Sequence, residues 1–308
     1  MKNFINISDH SSSDLRAIID EAKTRKLSRK GFNKSAPDDD KPFEGKSMAM
    51  IFEKPSTRTR MSFDIAAKQL GGSSIILNPD GIHYGKGDET LKDTAKVLTE
   101  YVDIVMLRTS SHKNLEEFGK HLDIPIINGL SDKSHPCQIM SDILTYEESN
   151  GSINGKTVSW LGDGDNNMSN SLIEAAGKFK FNLKIGCPKK YAPGKKILGW
   201  AKKNKVNLLI TQKPDEAVKN SDCVMTDKWV SMNDKVNKKT KKKVLKPFQV
   251  NKKLMKKANS NAIFMHCLPV GRGEEVTDEV IDGKQSVVWR QALNRVHAQK
   301  SIIKWCLD

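Results

Sequence analysis

The chain has 308 residues, 37% of them apolar, and carries 52 Lys and Arg against 37 Asp and Glu, a formal net charge of +15. This length predicts about two domains with ample hydrophobic cores, and the apolar share excludes wholesale disorder. No run of about 18 apolar residues is present, so the sequence also excludes a membrane-spanning helix.

The N-terminus and the cysteines indicate the cellular location. The first ten residues lack the uninterrupted apolar stretch and the small-residue cleavage site of a secretory signal. The five cysteines are odd in number and contain no C-x-x-C pair, which argues against a disulfide framework and a structural zinc site. We therefore expect a cytoplasmic protein without a metal ion.

Much of the positive charge lies in one segment. Residues 235–257 contain eleven lysines and no acidic residue. A nucleic-acid-binding protein usually spreads its basic residues over a face, often beside aromatic side chains. We expect a solvated helix and loop in this segment. A basic patch that attracts anionic substrates is the second interpretation, and nucleic-acid binding is the third.

Short β-rich runs alternate with helical patterns along the chain. In the first half the predicted strands are 46–52, 73–78, 104–107 and 124–127, and the predicted helices are 61–70, 91–101 and 115–122. In the second half the predicted strands are 157–161, 182–186, 206–210, 222–225 and 262–265, and the predicted helices are 166–180, 195–203 and 214–220. This alternation predicts an α/β fold in which each parallel sheet has helices on both faces.

The pattern divides into two α/β domains, over residues 1–135 and 151–285. Residues 136–150 and 286–308 are predicted as interdomain helices, and the C-terminal one is expected to pack back on the first domain. Ligands of such sheets bind beyond the carboxyl ends of the strands, so the loops that follow strands are the places to look for chemistry.

The loop 54–60 follows the first predicted strand and precedes a helix. Ser56 and Thr57 are good N-cap residues, and a helix N-terminus offers free N–H groups and partial positive charge to an anion. Arg58 and Arg60 add fork-shaped donors that suit a phosphate. The alternative is a simple helix cap with two solvated arginines.

Two further motifs follow strands of the first half. Arg108 closes the strand 104–107 and can reach the same anion, or can simply cover the end of the sheet. His135 precedes Pro136, which suits the first position of a helix, and Gln138 lies one turn further on the same face. A helix N-terminus lowers the pKa of a histidine, so a neutral His135 that polarises a carbonyl is one interpretation, and a capping histidine is the other.

The second half contributes amide, acidic and thiol groups. Residues 162–168 resemble a nucleotide loop without the G-x-G-x-x-G spacing, so a dinucleotide site is rejected, but Asn166 and Asn167 could hold a carboxylate or an amine. Asp227 follows a strand and suits an ammonium group. Cys267 follows His266, but adjacent residues that leave a strand point to opposite sides, which makes a Cys–His dyad geometrically poor.

Together these motifs resemble the aspartate/ornithine carbamoyltransferase family. They are, in chain order, Ser56-Thr57-Arg58-Thr59-Arg60, Arg108, His135-Pro136-Cys137-Gln138, Asp227 with Ser231-Met232, and His266-Cys267-Leu268-Pro269. The S-T-R-T-R and H-P-x-Q motifs mark the family, and the H-C-L-P and D-x-W-x-S-M motifs mark its ornithine branch. The resemblance runs over nearly the whole chain, as far as Arg295.

The resemblance implies the reaction of carbamoyl phosphate with L-ornithine to give L-citrulline and phosphate, a step of arginine biosynthesis or a urea-cycle-type pathway, without a cofactor. It makes the first domain the carbamoyl-phosphate-binding domain and the second the ornithine-binding domain. By position, carbamoyl phosphate is held by Ser56, Thr57, Arg58, Thr59, His83, Arg108, His135, Gln138, Cys267, Leu268 and Arg295. By the same argument, ornithine is held by Asn167, Asp227, Ser231 and Met232. The residues expected to be catalytic are Arg58, Arg108, His135, Asp227 and Cys267.

The resemblance also implies partners and departures. The loop 80–87, with His83, is expected to complete the site of a neighbouring subunit, which implies a homotrimer or a multiple of it; neither nucleic acid nor a membrane is expected. Asn233 stands where the family usually has glycine. A related transferase that acts on putrescine or an N-acylated ornithine is the alternative enzyme, but Asn167, Asp227 and Ser231-Met232 favour free ornithine.

Overall fold

The computed structural model describes residues 1–78, 89–230 and 237–308. The chain divides into two compact units, one of Met1–Leu144 with Leu293–Asp308 and the other of Thr145–Ala292. The limits of the units fall inside the two helices for which the sequence predicts an interdomain position. No helix within the described ranges has both the length and the apolar character needed to cross a membrane.

All strands of the described residues pair in parallel. They are β1 Ser47–Phe52, β2 Ser73–Leu77, β3 Ile104–Arg108, β4 Ile126–Leu130, β5 Thr157–Leu161, β6 Asn182–Gly186, β7 Leu208–Thr211, β8 Cys223–Thr226 and β9 Ile263–His266. The first unit has the sheet order β2-β1-β3-β4, and the second has the order β7-β6-β5-β8-β9. The central strands are apolar along their length because helices cover both of their faces.

The helices alternate with these strands. They are α1 Ser12–Ser28, α2 Thr57–Gln69, α3 Leu91–Tyr101, α4 His112–Lys120, α5 Pro136–Asn150, α6 Asn167–Phe179, α7 Lys195–Lys203, α8 Pro214–Val218, α9 Lys238–Leu245, α10 Lys252–Met255, α11 Asp278–Ile281 and α12 Val288–Leu307. The predicted fold class, two parallel-sheet α/β domains flanked by helices, is confirmed.

Several predicted boundaries are wrong by two residues or more, among them those of α4, which spans His112–Lys120 and not 115–122, and of β7, which spans Leu208–Thr211 and not 206–210. Helix α2 begins at Thr57, not at residue 61, because its first turn is a polar run with no apolar periodicity to reveal it. Strand β4 spans Ile126–Leu130, not 124–127. Pro125 accepts the N–H of Val105 at 2.9 Å but has no N–H to donate, so the strand begins at Ile126. The strand continues through Gly129, where a β-carbon would lie 2.3 Å from the sulfur of Met106.

A buried charge cluster joins α12 to the rest of the first unit. The Lys300 ammonium, whose side chain is fully buried, donates to Asp38 Oδ1 at 2.8 Å and to Gln69 Oε1 at 3.2 Å. Arg25 and Arg29 also donate to the Asp38 carboxylate, at 2.9 and 2.6 Å. This cluster anchors the helix that carries Arg295.

His297, on the same helix, is buried. We expect this ring to make the free energy of unfolding sensitive to acid. Its pKa is lowered to about 3 because burial and the charges of Lys300 and Lys26 disfavour the protonated ring. An unfolded histidine has a pKa near 6.5, so the unfolded state binds an extra proton as the pH falls through that value. The stability that this neutral ring contributes is present above about pH 6.5 and is lost as the pH falls towards 3.

From about pH 7.5 to about pH 5.5, this one ring is expected to reduce the free energy of unfolding by about 1.4 kcal/mol. Urea unfolding of the wild type and of His297→Gln at both pH values measures the effect. The variant should lose about 1.4 kcal/mol less than the wild type over this range. Equal losses in the two proteins would contradict the assignment.

Candidate functional site

The N-terminus of α2 follows the carboxyl end of β1 and has no side-chain cap. Ser56 occupies the N-cap position in an extended conformation, but its hydroxyl accepts no hydrogen bond from the first turn. By contrast, Thr90 and Asn166 cap α3 and α6 with their side chains. The Ser56 side chain therefore does not occupy the first-turn N–H groups of α2, and the helix end favours an anion.

Thr59, in that first turn, collects two guanidinium groups. Arg108 Nη1 donates to Thr59 Oγ1 at 3.1 Å, and Arg295 Nη2 donates to the same oxygen at 2.8 Å. Thr59 and Arg295 are 1% and 4% exposed. A hydroxyl oxygen has two acceptor positions, so both are used here and the Thr59 proton must point away from the arginines.

A second contact of Arg295 orients Gln138. Arg295 Nη1 donates to Gln138 Oε1 at 3.1 Å, and Gln138 Nε2 donates to Asp142 Oδ1 at 2.8 Å. The amide accepts at one end and donates at the other, so its two ends cannot be exchanged without losing both bonds. The carboxylate of Asp142 and the guanidinium of Arg295 thus hold Gln138 in one orientation.

His135 is neutral in this environment. Its pKa lies well below the ordinary value because the ring is buried and because Arg295, Arg108 and Arg58 disfavour a further positive charge. The predicted direction of this shift is confirmed, although burial and the arginines, not the helix end, are its main causes. Arg58, which precedes Thr59 in the first turn of α2, is one of the charges that lower this pKa. A neutral imidazole can donate one N–H without adding charge.

Arg60 and Thr57 also belong to the predicted phosphate-binding loop. Arg60 Nη2 donates to Asn78 Oδ1 at 2.8 Å, and its guanidinium lies 5.0 Å from the ring centroid of Phe52. In this structure the Arg60 guanidinium is engaged away from Thr59, and Arg295 provides the second guanidinium there. Thr57 is exposed at the start of α2. His83 lies outside the described residues.

In the second unit, Asp227 and Cys267 lie at the ends of neighbouring strands β8 and β9. The Cys267 thiol donates to Asp227 Oδ1 at 3.2 Å, and the same oxygen accepts the N–H of Lys228 at 2.7 Å. Both side chains are partly exposed. A thiol that donates to a carboxylate is protonated, so this contact favours a polar binding group over a thiolate nucleophile.

His266 has partners of its own. Its Nε2 lies 3.2 Å from Glu275 Oε1, and its Nδ1 accepts the N–H of Leu268 at 2.9 Å. These bonds fix the tautomer, with the proton on Nε2, and they hold Leu268 in the left-handed backbone region at φ 59°. The argument against a Cys267–His266 dyad agrees with this arrangement, since the two side chains engage different acidic partners.

Asp227, His266 and Cys267 each bring one possible metal-ligand atom to within 4.8 Å of the others. Both ring nitrogens of His266 are already engaged, so a metal ion would have to break one of those hydrogen bonds.

Asn167 is the first residue of α6 and is partly exposed. Ser231 and Met232 lie outside the described residues.

Sequence reasoning missed a buried ion pair in this unit. Lys241 Nζ lies 2.6 Å from Asp163 Oδ2, and the two side chains are 4% and 9% exposed. The interpretation of the lysine-rich segment as solvated throughout is therefore wrong at this position. Lys241 and the buried Leu245 are four residues apart on α9, so they share one face. That spacing was the available signal.

Comparison with known proteins identifies the class. Residues 2–148 match the family model described as aspartate/ornithine carbamoyltransferase, carbamoyl-P binding domain. Residues 154–306 match the model described as aspartate/ornithine carbamoyltransferase, Asp/Orn binding domain. The chain belongs to the aspartate/ornithine carbamoyltransferase family.

Three members of this family that are similar to the chain are ornithine carbamoyltransferases. The chain is 49% identical to the ornithine carbamoyltransferase of Brucella ovis over 308 residues, which is 100% of this chain and 96% of that protein. It is also similar to the solved ornithine carbamoyltransferase of Pyrococcus furiosus, with 42% identity, a TM-score of 0.91 and coverage of 98% and 96% of the two chains. The anabolic enzyme of Campylobacter jejuni is 36% identical, with a TM-score of 0.89 and coverage of 99% of both chains.

Proposed function

We propose that this chain transfers the carbamoyl group of carbamoyl phosphate to the side-chain amine of L-ornithine, giving L-citrulline and phosphate. One observation carries the proposal: the first unit gathers Thr59, Arg108 and Arg295 at an uncapped helix N-terminus, beside a neutral His135. This group suits a phosphorylated substrate that also contains a carbonyl, because guanidinium groups bind phosphate and a neutral imidazole can polarise a carbonyl oxygen.

Carbamoyl phosphate binding is assigned to the first unit. The phosphate lies at the start of α2, held by Ser56, Thr57, Arg58 and Thr59 together with Arg108. The carbamoyl end contacts His135 and Gln138, with Arg295 behind them. Arg58, Arg108 and Arg295 supply the positive charge that compensates the negative charge of the substrate.

Ornithine binding is assigned to the second unit. The Asp227 carboxylate suits the α-ammonium group, and the Asn167 amide suits the α-carboxylate. Ser231 and Met232 are proposed to complete this end of the site on the basis of the family motif. Cys267 and Leu268 complete the binding groups at the reacting end, and Cys267 is held in place by its hydrogen bond to Asp227.

The mechanism is attack of the neutral side-chain amine on the carbonyl carbon. The new C–N bond forms, the C–O bond to phosphate breaks, and negative charge develops on the carbonyl oxygen and the departing phosphate. Donors held in place at these oxygens stabilise that charge, each contributing about 10²–10³ in rate. An amine with a pKa near 10 is about 0.1% neutral at pH 7, so it must lose a proton, which the departing phosphate can accept.

Cys267→Ser is expected to lower kcat and to raise the KM for ornithine, each by about tenfold, without abolishing the reaction. The reason is that a hydroxyl can still donate to Asp227, although its shorter bond to carbon changes the distance. Steady-state kinetics with each substrate varied in turn measures the effect. Detection of a carbamoylated cysteine by mass spectrometry would instead show that the thiol is a nucleophile.

A steady-state assay with four amines tests the proposed function. Carbamoyl phosphate is supplied with L-ornithine, N-acetylornithine, putrescine or L-aspartate, and the carbamoylated product is quantified. Ornithine is expected to give the highest kcat/KM because only it has both a free α-amino acid group and a side-chain amine. A preference for any of the other three would overturn the assignment.

We further propose a homotrimer, or a multiple of it, in which His83 of one subunit completes the site of the next. Exposed apolar side chains on and beside the edge strand β2 support an interface: Met61, Ile75 and Ile76 are 56%, 50% and 38% exposed. Light scattering of the purified protein tests this.

A cytoplasmic location suits the free thiols, and the anabolic Campylobacter relative supports a role in arginine biosynthesis.

A further inference from the structure

We infer that the buried ion pair of Lys241 and Asp163 positions Asn167 and offsets local negative charge, so that the α-carboxylate of ornithine can bind. The inference rests on the proposed function. It assigns to one lysine of the basic segment a positioning role in amino-acid recognition that the other lysines of that segment do not share.

The pair is enclosed by aromatic and apolar groups. Lys241 Nζ lies 2.6 Å from Asp163 Oδ2 and 5.3 Å from the ring centroid of Tyr191. Tyr191 belongs to a buried cluster with Trp229 and Leu245. Removing one member of such a pair leaves a buried charge without compensation, so the pair holds α9 and the loop of Asp163 together.

Asp163 is the centre of the loop that leads into α6. Its Oδ1 accepts the N–H of Asp165 at 3.0 Å, and its backbone oxygen accepts Trp160 Nε1 at 2.8 Å and Asn166 Nδ2 at 3.2 Å. Asn166 in turn caps α6, since its Oδ1 accepts the N–H of Ser169 at 2.9 Å. Asn167 follows at the first helical position. The Lys241–Asp163 contact therefore fixes the backbone from which the Asn167 side chain extends.

The local charge balance gives Lys241 a second effect. Asp163 and Asp165 place two carboxylates in the loop beside Asn167. The pKa of Asp165 is raised by partial desolvation and by the charge of Asp163, and Lys241 acts in the opposite direction. Without the ammonium group the loop would carry two uncompensated negative charges and would repel an incoming carboxylate.

The neighbouring lysines provide the contrast. Lys239 and Lys243 lie on the same helix and are exposed, whereas Lys241 is 4% exposed. The buried position follows from the helix period, because residue 241 faces the side occupied by Leu245. A lysine of α9 is therefore expected to affect ornithine binding only where its side chain is buried. Lys243→Gln removes an equal charge from an exposed position of the same helix and serves as a matched control.

The test compares Lys241→Gln with Lys243→Gln in the full-length enzyme. Lys241→Gln is expected to raise the KM for ornithine, and the Kd of L-norvaline, by about tenfold, which corresponds to about 1.4 kcal/mol. L-Norvaline is the probe because it keeps ornithine's α-amino acid group and has no side-chain amine. The Kd of carbamoyl phosphate, measured without ornithine, should change less than about twofold, since Asp163, Asn167 and Lys241 are not among its assigned contacts. Lys243→Gln should match the wild type, and Lys241→Arg should restore most of the norvaline affinity.

A double variant separates binding from folding. Breaking the buried pair alone destabilises the protein, whereas Asp163→Asn with Lys241→Gln removes both charges and keeps the side-chain lengths. The double variant should unfold at a higher temperature than Lys241→Gln. It should also bind norvaline more tightly than Lys241→Gln, because its loop keeps only the charge of Asp165 and so has the same net charge as in the wild type. Wild-type norvaline affinity in a folded Lys241→Gln variant would overturn the inference. Absence of carbamoyl transfer in the wild type would instead overturn the proposed function.

Discussion

Arg58→Ala is expected to lower kcat by about 10²–10³ or more while leaving the fold intact. Arg58 lies in the uncapped first turn of α2, is only half-buried, and is close enough to His135 to lower the pKa of that ring. Its guanidinium is assigned to the phosphate group, on which negative charge grows as the C–O bond breaks. A methyl group offers no donor and no charge, so transition-state stabilisation is lost. Steady-state kinetics at saturating ornithine measures the loss.

The neighbouring arginine serves as a matched control for this experiment. Arg60 lies two residues further along the same helix but contacts Asn78 and the ring of Phe52. Arg60→Ala removes the same charge from the same turn and should cost less than about tenfold in kcat. Circular dichroism and the urea midpoint establish that both variants are folded. An Arg58→Ala enzyme that keeps a tenth of the wild-type activity would refute the phosphate role.

The architecture was predictable because the signals of a parallel α/β fold are local. Apolar strands of four to six residues alternate with helical periods, and this alternation forces both faces of each sheet to be covered. The strand ends then locate Arg108, Asp227 and Cys267 without further information. Errors at α2 and β4 arose where polar residues or glycine interrupted the apolar pattern while backbone hydrogen bonds continued.

The pairing of side chains was not predictable from the sequence. Thr59 and Arg295 are separated by 236 positions, and only packing of α12 brings the guanidinium to the hydroxyl. Arg60 looked equivalent to Arg58 in the motif, yet the two residue steps between them rotate a helical side chain by about 200°, so the two guanidinium groups leave α2 in different directions. Lys241 was hidden in the basic segment, since composition cannot distinguish one inward-facing lysine from its solvated neighbours.

The two candidate binding groups arrange their charges in different ways, and the difference follows their assigned substrates. At the start of α2, Arg108 and Arg295 both donate to the neutral hydroxyl of Thr59, whereas Arg25, Arg29 and Lys300 elsewhere in the first unit are paired with Asp38. In the second unit the buried cation Lys241 is compensated by Asp163, and Asp227 accepts from the neutral Cys267 thiol, which leaves the Asp227 carboxylate its charge for an ammonium group. Such opposite arrangements suit an anionic donor substrate and a zwitterionic acceptor.

Thr59 offers the most discriminating test of the anion site. Its Oγ1 accepts from Arg108 and Arg295, so its own proton is directed away from both and can donate to the bound phosphate. Thr59→Val keeps the shape and removes the hydroxyl, which leaves two guanidinium N–H groups without their acceptor and deletes a donor. We expect kcat/KM for carbamoyl phosphate to fall by about 10²–10³. Thr59→Ser retains the hydroxyl and should stay within about tenfold of the wild type. Thr59→Ser keeps the hydroxyl and Thr59→Val lacks it. If the two variants were equally active, the hydroxyl would not act on the substrate.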